Sequence, residues 1–458
     1  MSTHVGYVVS VKELKDHPNA DRLKIATFFG NDTCVGLDTA IGEIGIYFPV
    51  DLQLSEEFCD ANHLCRKTAD GMPDTGYLER DKRNVQAIKL RGYKSDGIFM
   101  SLSCLTYTGV NLDNINIGDT IDNVNGHEIC RKYIPRSSKQ NRQNISAVNK
   151  TRKYRDPIAP LLVEHADTEQ LAYNMAAFKA GDLVEITLKM HGTSQRTGYV
   201  PMLKGYKRNF LDKILRHPGK PIYEWGYVSG TRRTVLNDWE GGFYGSNQFR
   251  KKHADFFEGK LHKGEEVYYE VVGFTDTGTP IMGDASNKKL NDKQFVKQYG
   301  DTTRFSYGCE PGQSDFYVYR MTLTNEDGDI VEYPPDFMRY RCEQMGCKYV
   351  PLLWKGIIPE DKTLEECYDC EGECGTWACA RKGSPGEWIR NIAEQYYDGP
   401  DPIGKTHIRE GVVCRIVNRP KFCAYKHKNW WFKALEGIIK VTEEAPDMEE
   451  AEEILDKE

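Results

Sequence analysis

Val184-Glu185-Ile186-Thr187-Leu188-Lys189 alternates apolar and polar side chains, and Gly192 breaks the run three residues later. Period two is the pattern of a strand with one face buried and the other open, so this segment needs a sheet with a covered side and an accessible side. Lys189 leaves the strand on its polar face. A lysine at the end of a rigid strand, followed by a turn where backbone can approach a ligand, suits a nucleophile. Its amine must first lose a proton, because an unperturbed lysine with a pKa of ~10.4 is almost wholly charged at neutral pH. Burial, a second cation or a bound metal would favour that loss.

Lys189-Met190-His191-Gly192-Thr193 resembles the nucleophile motif of the covalent nucleotidyltransferases in its K-x-H-G-T form, typical of RNA ligases. The family's other motifs follow in order. Arg196 sits on the next strand, where it could reach a nucleotide phosphate, and Trp225-Gly226-Tyr227-Val228-Ser229-Gly230-Thr231-Arg232 resembles the second motif, with Arg232 at the basic position. Tyr268-Tyr269-Glu270-Val271-Val272-Gly273 places a carboxylate inside an apolar strand, which is costly unless donors meet it. It resembles the ribose-binding motif, which implies that Glu270 accepts from ribose hydroxyls. Phe316-Tyr317-Val318-Tyr319-Arg320 resembles the strand whose aromatic ring stacks on adenine. That ring is Tyr319, with Tyr317 on the same face by period two. Glu410-Gly411-Val412-Val413 resembles the motif whose glutamate positions a divalent metal. Lys426 and Lys428, two residues apart on one strand face, match the pair that flanks a triphosphate, and they would supply the second cation for Lys189.

Two departures mark this chain. Leu188 stands where many relatives have an acid, and His191 stands where DNA ligases and many capping enzymes have aspartate, so His191 would meet metal only as a neutral ligand. The resemblance implies an ATP-dependent RNA ligase of the class with an N-terminal OB domain. Lys189, Gly192, Arg196, Arg232, Glu270, Tyr319, Lys426 and Lys428 would bind the nucleotide, and Lys189, Glu410, Lys426 and Lys428 would act in the chemistry. Its cofactors would be ATP and Mg2+ or Mn2+. Its substrate would be RNA, or an RNA-terminated duplex with 5′-phosphate and 3′-hydroxyl ends, joined through lysyl-AMP and RNA-adenylate, most naturally at nicks where the 3′-hydroxyl strand ends in RNA. Two rivals are an mRNA capping guanylyltransferase, which uses the same lysine chemistry, and an inactive RNA-binding protein. The capping enzyme places an OB domain after the last lysines, where only about thirty residues remain.

The expected fold is α+β: an OB-like β-barrel over residues 1–130, a basic linker over 131–158, a nucleotidyltransferase (ATP-grasp-like ligase) domain of antiparallel sheets with flanking helices over 159–441, and an acidic tail over 442–458. Short strands at Val5–Val11, Arg22–Phe28 and Ile44–Val50, separated by polar turns, favour a small barrel. His17-Pro18-Asn19-Ala20-Asp21 resembles the start of OB folds that bind tRNA, and Val85–Gly92 and Ser95–Met100 resemble the matching segment of ligases with this domain. Arg131, Lys132, Arg136, Lys139, Arg142, Lys150, Arg152, Lys153 and Arg155 fall in a run with no acid before Asp156. Such a run is either a solvated hinge or a strap for a phosphate backbone. The net charge of −7 offers no global attraction to nucleic acid, so phosphate binding must be local.

No run approaches the roughly 20 apolar residues of a membrane span and no signal peptide opens the chain, so a cytoplasmic monomer is expected. Fourteen scattered cysteines read as reduced thiols. Within the insertion 361–386, Cys367, Cys370, Cys374 and Cys379 either wrap a structural zinc ion or remain free. Gly399-Pro400-Asp401-Pro402-Ile403-Gly404-Lys405-Thr406 satisfies the phosphate-loop expression. Its two prolines remove backbone donors, and a strand rather than a helix should follow, so it is read as a coincidence.

Overall fold

The structure is a computed structural model that describes residues 4–50, 52–133, 159–210, 217, 219–232, 235–236, 239–240, 244, 246–360 and 383–437. The described residues form two compact units. One takes in the chain up to residue 133 together with Ser286–Asp301 and the stretch from Asn429 onward; the other holds the rest. Most of the expected basic linker, the four cysteines of the insertion and the acidic tail lie outside the described residues.

The first unit is β-rich, with its expected strands at Gly6–Ser10, Leu23–Phe28 and Ile44–Phe48. An antiparallel sheet runs in the order Thr120–Ile121, Gly6–Ser10, Ile44–Phe48, Ile98–Ser101, and a second sheet holds Leu14–Asp16, Leu23–Phe28 and Asn31–Gly36. Among the described residues no single ladder closes these sheets into a barrel. The sheets are instead joined by polar contacts at one turn: Asp96 N donates to Asp32 O at 2.8 Å and Thr33 Oγ1 to Asp96 O at 2.7 Å. Ile46, Phe48, Leu52, Leu54, Phe58, Leu105 and Ile129 form the core.

Two stretches quoted above for their sequence meet here. His17 Nε2 lies 3.1 Å from Leu90 O, and Asn19 Nδ2 donates to Arg91 O at 3.0 Å. His17 is buried and ties these two stretches together. Residues from far along the chain complete the unit: Lys433 pairs with Asp96 at 2.6 Å, Lys89 pairs with Asp292, and Phe295 packs on Trp431.

The second unit has two antiparallel-rich sheets. Five strands run in the order Glu169–Gln170, Ala424–Lys428, Gly411–Ile416, Leu183–Lys189, Leu352–Ile357. Six run in the order Val235–Leu236, Lys220–Gly230, Thr193–Lys207, Glu265–Gly273, Ser314–Thr324, Ile330–Glu332. The chain passes from the first sheet to the second through the three residues Met190-His191-Gly192 and returns through residues 333–351, so the sequence element of greatest constraint ends at a hinge between the sheets. The inward face of the Lys189 strand, Val184 and Ile186, packs with Val412, Cys414, Ile416, Ile389 and Ile392. At ~1.5–3 kcal/mol for each fully buried aliphatic side chain, this layer fixes the strand register.

Candidate active site

Strand register places the open face. Across the five-stranded sheet the rungs read Glu185, Arg415, Ala424; then Thr187, Val413, Lys426; then Lys189, Gly411, Lys428. Period two points each rung's side chains to one side. There Glu185, Arg415, Ala424, Thr187, Val413, Lys426 and Lys189 floor a cleft with about 1020 Å³ of free space, part of it continuous with solvent, whose walls include His165, Thr168, Ser194, Arg232, Glu270, Tyr319 and Arg339. The sequence-derived residues Lys189, Arg232, Glu270, Tyr319 and Lys426 all line it.

Lys189 Nζ lies 2.6 Å from Glu410 Oε1; the lysine side chain is 22% exposed and the glutamate 2%. Burial alone would push the Glu410 carboxyl up, but the Lys189 ammonium, then His191 and Lys428, overrule it and hold it at about 2. A carboxylate stands against the amine, and Lys428 also acts on that carboxylate. Glu410 Oε2 is buried, finds no hydrogen-bond partner among the described residues, and lies 3.6 Å from His191 Nδ1. The His191 ring abuts Phe305, and its backbone N–H donates to the Tyr307 hydroxyl at 2.7 Å.

Two glycines are required by close approach. A Cβ on Gly192 would stand 2.3 Å from Val271 O, and the Gly192 N–H donates to Glu270 Oε1 at 3.1 Å. Gly411 has φ +149°, and a Cβ there would meet His427 O at 2.1 Å. Each lets two strands approach closely, Gly192 beside Glu270 and Gly411 beside Glu410.

Tyr319 is reached by an irregularity that period two does not show. Tyr268 pairs with Arg320 and Tyr269 with Val318, leaving Tyr319 as the extra residue of a β-bulge. Tyr317 and Tyr319 share a face as expected, because Tyr317 pairs with Glu270 and the Tyr319 hydroxyl reaches Ser194, which also pairs with Glu270; Tyr319 lines the cleft, whereas Tyr317 is buried with its hydroxyl 3.3 Å from Asp315 Oδ2. The Tyr319 hydroxyl lies 2.9 Å from Ser194 Oγ and 3.1 Å from His165 Nδ1, which fixes its ring.

Arg196 is not brought to the cleft. It is 2% exposed, its Nε is 3.6 Å from Glu266 Oε1, and its Nη1 donates to Arg232 O at 2.8 Å. It supports Arg232 from behind. Sequence reasoning missed the segment around His165 and Thr168. Glu266 Oε2 accepts from Val163 N at 2.8 Å, the Tyr268 hydroxyl donates to Val163 O at 3.1 Å, and Asp167 pairs with Arg232 at 2.7 Å. Only the acidic Glu266 beside Glu265 hinted at such a docking strip. Glu185, also missed, is a buried carboxylate that takes both guanidinium nitrogens of Arg339 at 3.0 and 2.8 Å and Lys355 at 3.1 Å.

The phosphate-loop look-alike is occupied by its own side chain. Asp401 accepts from the N–H groups of Ile403, Gly404 and Thr406, and the loop leads into the Gly411 strand. The donors a phosphate would need are therefore already engaged.

Among the described residues no group of three or more His, Cys, Asp or Glu side chains could hold a metal ion. Glu410 offers a single carboxylate with one unsatisfied oxygen. That fits an ion of the magnesium type, which keeps waters and binds through one or two carboxylates plus substrate phosphates. No helix among the described residues is long and apolar enough to cross a membrane.

No protein-family model and no curated protein sequence matches the chain. Solved structures do. A Naegleria gruberi RNA ligase variant with AMP and Mn is 13% identical, with a TM-score of 0.52 over 93% of this chain and 97% of that one. Another variant of that ligase with ATP and Mn is 14% identical, with a TM-score of 0.53 over 94% and 98%. An apo variant gives 14% and 0.54 over the same shares. At this identity the likeness establishes a shared fold along nearly the whole of both chains.

Proposed function

We propose that the protein is an ATP-dependent RNA ligase working through a covalent lysyl-AMP. The observation that carries this is the Lys189 amine held 2.6 Å from Glu410 in a cleft that also presents Glu270, Tyr319, Arg232 and Lys426. The fold shared with an RNA ligase solved with ATP, AMP and Mn supports it.

In this reading Tyr319, its ring fixed by Ser194 and His165, stacks on adenine, and Glu270 accepts from the ribose. Lys426 and Lys428 take the phosphates. Lys189, after losing its ammonium proton to solvent, attacks the α-phosphorus, forming the N–P bond as the bond to pyrophosphate breaks; AMP passes to an RNA 5′-phosphate, releasing the lysine, and a 3′-hydroxyl displaces AMP. A carboxylate held at about 2 is a poor proton acceptor, so Glu410 orients the amine and stays ionised as a ligand for a divalent cation. That ion, when bound, would neutralise charge developing on the phosphates. Otherwise catalysis is positioning and charge stabilisation by fixed groups. The β-rich first unit is assigned to nucleic-acid binding and the second unit, which carries Lys189 to Lys428, to nucleotidyl transfer.

The test is strand joining on a nicked duplex whose 3′-hydroxyl strand ends in RNA and whose other end carries a 5′-phosphate. A joined product with a transient adenylated 5′ end is expected. Failure on this duplex and on single-stranded RNA, from protein that forms the covalent adduct with GTP, would move the assignment to capping.

A further inference from the structure

The Thr193–Lys207 and Lys220–Gly230 strands outrun their sheet. The neighbour Glu265–Gly273 pairs only with Thr193 to Gly198, and Val235–Leu236 pairs only with Ser229 and Gly230. From Val200 to Lys207, among the described residues, the two arms pair solely with each other. At ~3.3 Å per residue they form a two-stranded ribbon of about 23 Å, the span of roughly seven stacked nucleotides.

One face of the ribbon near its base packs Val200 and Met202 on Leu161 and Leu162. Register puts Tyr199, Pro201, Leu203, Tyr223, Trp225 and Tyr227 on the other face. Tyr199 stacks on Tyr227 at 4.6 Å, and Lys263 sits 5.3 Å from the Trp225 ring. Farther out, Tyr206 is 43% exposed, Ile222 43% and Phe210 76%. Lys204, Lys207 and Lys220 stand on these arms, with Arg208 directly after the first arm, against one acid on them, Glu224, in a chain whose net charge is −7. Cross-strand aromatic pairs can be explained as ribbon stabilisation. Exposed rings beyond them, set among cations, are not explained that way.

We infer that this ribbon is an RNA-binding arm: its lysines contact the phosphate backbone and its outer aromatics stack on bases of the strand being joined. Its inner end is continuous with the cleft, because Ser194, on the same strand, lines the cleft. The inference rests on the RNA ligase reading. A partner of RNA rather than protein is favoured by the one-sided charge and by the stacking surfaces.

Two full-length variants test it, Lys204→Ala/Lys207→Ala/Lys220→Ala and Phe210→Ala, with affinity for a fluorescent nicked RNA-terminated duplex followed across a salt titration. The triple variant should bind about tenfold or more weaker. Its slope of log K against log salt should fall by about 2, since each lost phosphate contact removes ~0.7–0.9. Phe210→Ala should weaken binding about fivefold or more at unchanged slope. Both should form the ATP adduct as wild type does. If wild type binds RNA and both variants match it in affinity and slope, the arm assignment is overturned and the ligase reading stands. If wild type neither binds RNA nor takes AMP, both fall.

Discussion

Gly192→Ala tests the geometry of the hinge between the two sheets. The added Cβ would sit 2.3 Å from Val271 O, 2.8 Å from Val272 Cγ1 and 3.0 Å from Glu270 Cγ. Reaching an ordinary contact of ~3.4 Å requires the Glu270 strand to move about 1 Å away from the Lys189 turn. Overpacking of this kind costs about 1–3 kcal/mol, which at ~2–4 °C per kcal/mol lowers Tm by about 2–12 °C. The chemical effect should be larger, because a displacement of ~1 Å between groups that hold one substrate costs on the order of a hundredfold in rate. The assay is the rate of ATP-dependent covalent labelling, with a thermal melt alongside. Gly205→Ala is the control, since a Cβ there meets nothing within 4 Å. If Gly192→Ala labels within about threefold of wild type at an unchanged Tm, close approach is not what this glycine provides.

Three further outcomes follow from particular contacts. Glu185→Ala removes the buried carboxylate shared by Arg339 and Lys355 and leaves them only the exposed Asp336; it should cost about 1–3 kcal/mol in urea unfolding, with part regained in Glu185→Ala/Arg339→Ala, and a neutral single variant would refute the ion-pair role. Glu410, held at about 2 against an ordinary 4.5, binds fewer protons folded than unfolded, so its contribution is full above pH 4.5 and is lost as pH falls toward 2. At ~1.4 kcal/mol per pH unit this is about 3 kcal/mol, and Glu410→Gln should flatten the acid limb of the unfolding profile in that window; an unchanged limb would contradict the assignment. Lys405→Ala should label like wild type, because the Asp401 carboxylate already holds the loop's amides; loss of labelling would restore the phosphate-loop reading.

The parts of the site that could be read from sequence are those where one local pattern decides the outcome. Alternation from Val184 to Lys189 put the lysine on an open face, and a carboxylate within an apolar run marked Glu270 and the start of the Gly411 strand. The parts that could not be read depend on pairing between distant strands. Whether Arg196 faces the cleft or the interior is set by Glu266 on a neighbouring strand. The bulge at Tyr319 exists only relative to the Tyr268–Tyr269 register. The grouping of Ser286–Asp301 and the stretch from Asn429 with the first unit rests on contacts such as Lys433 with Asp96, separated by hundreds of residues. A barrel was expected from strand length and turn spacing, which constrain individual strands but not which edges pair. Asp401 looked like one residue of a loop motif, and only its hydrogen bonds show that it fills that loop.

The central claim is that Lys189 becomes covalently attached to AMP. Intact mass after incubation with magnesium and ATP, or separately GTP, compared between wild type and Lys189→Ala, measures it directly. An AMP-sized adduct from ATP that is absent in Lys189→Ala is the expected result. An adduct that persists in Lys189→Ala, or no adduct from folded wild type that is not already adenylylated, would contradict it.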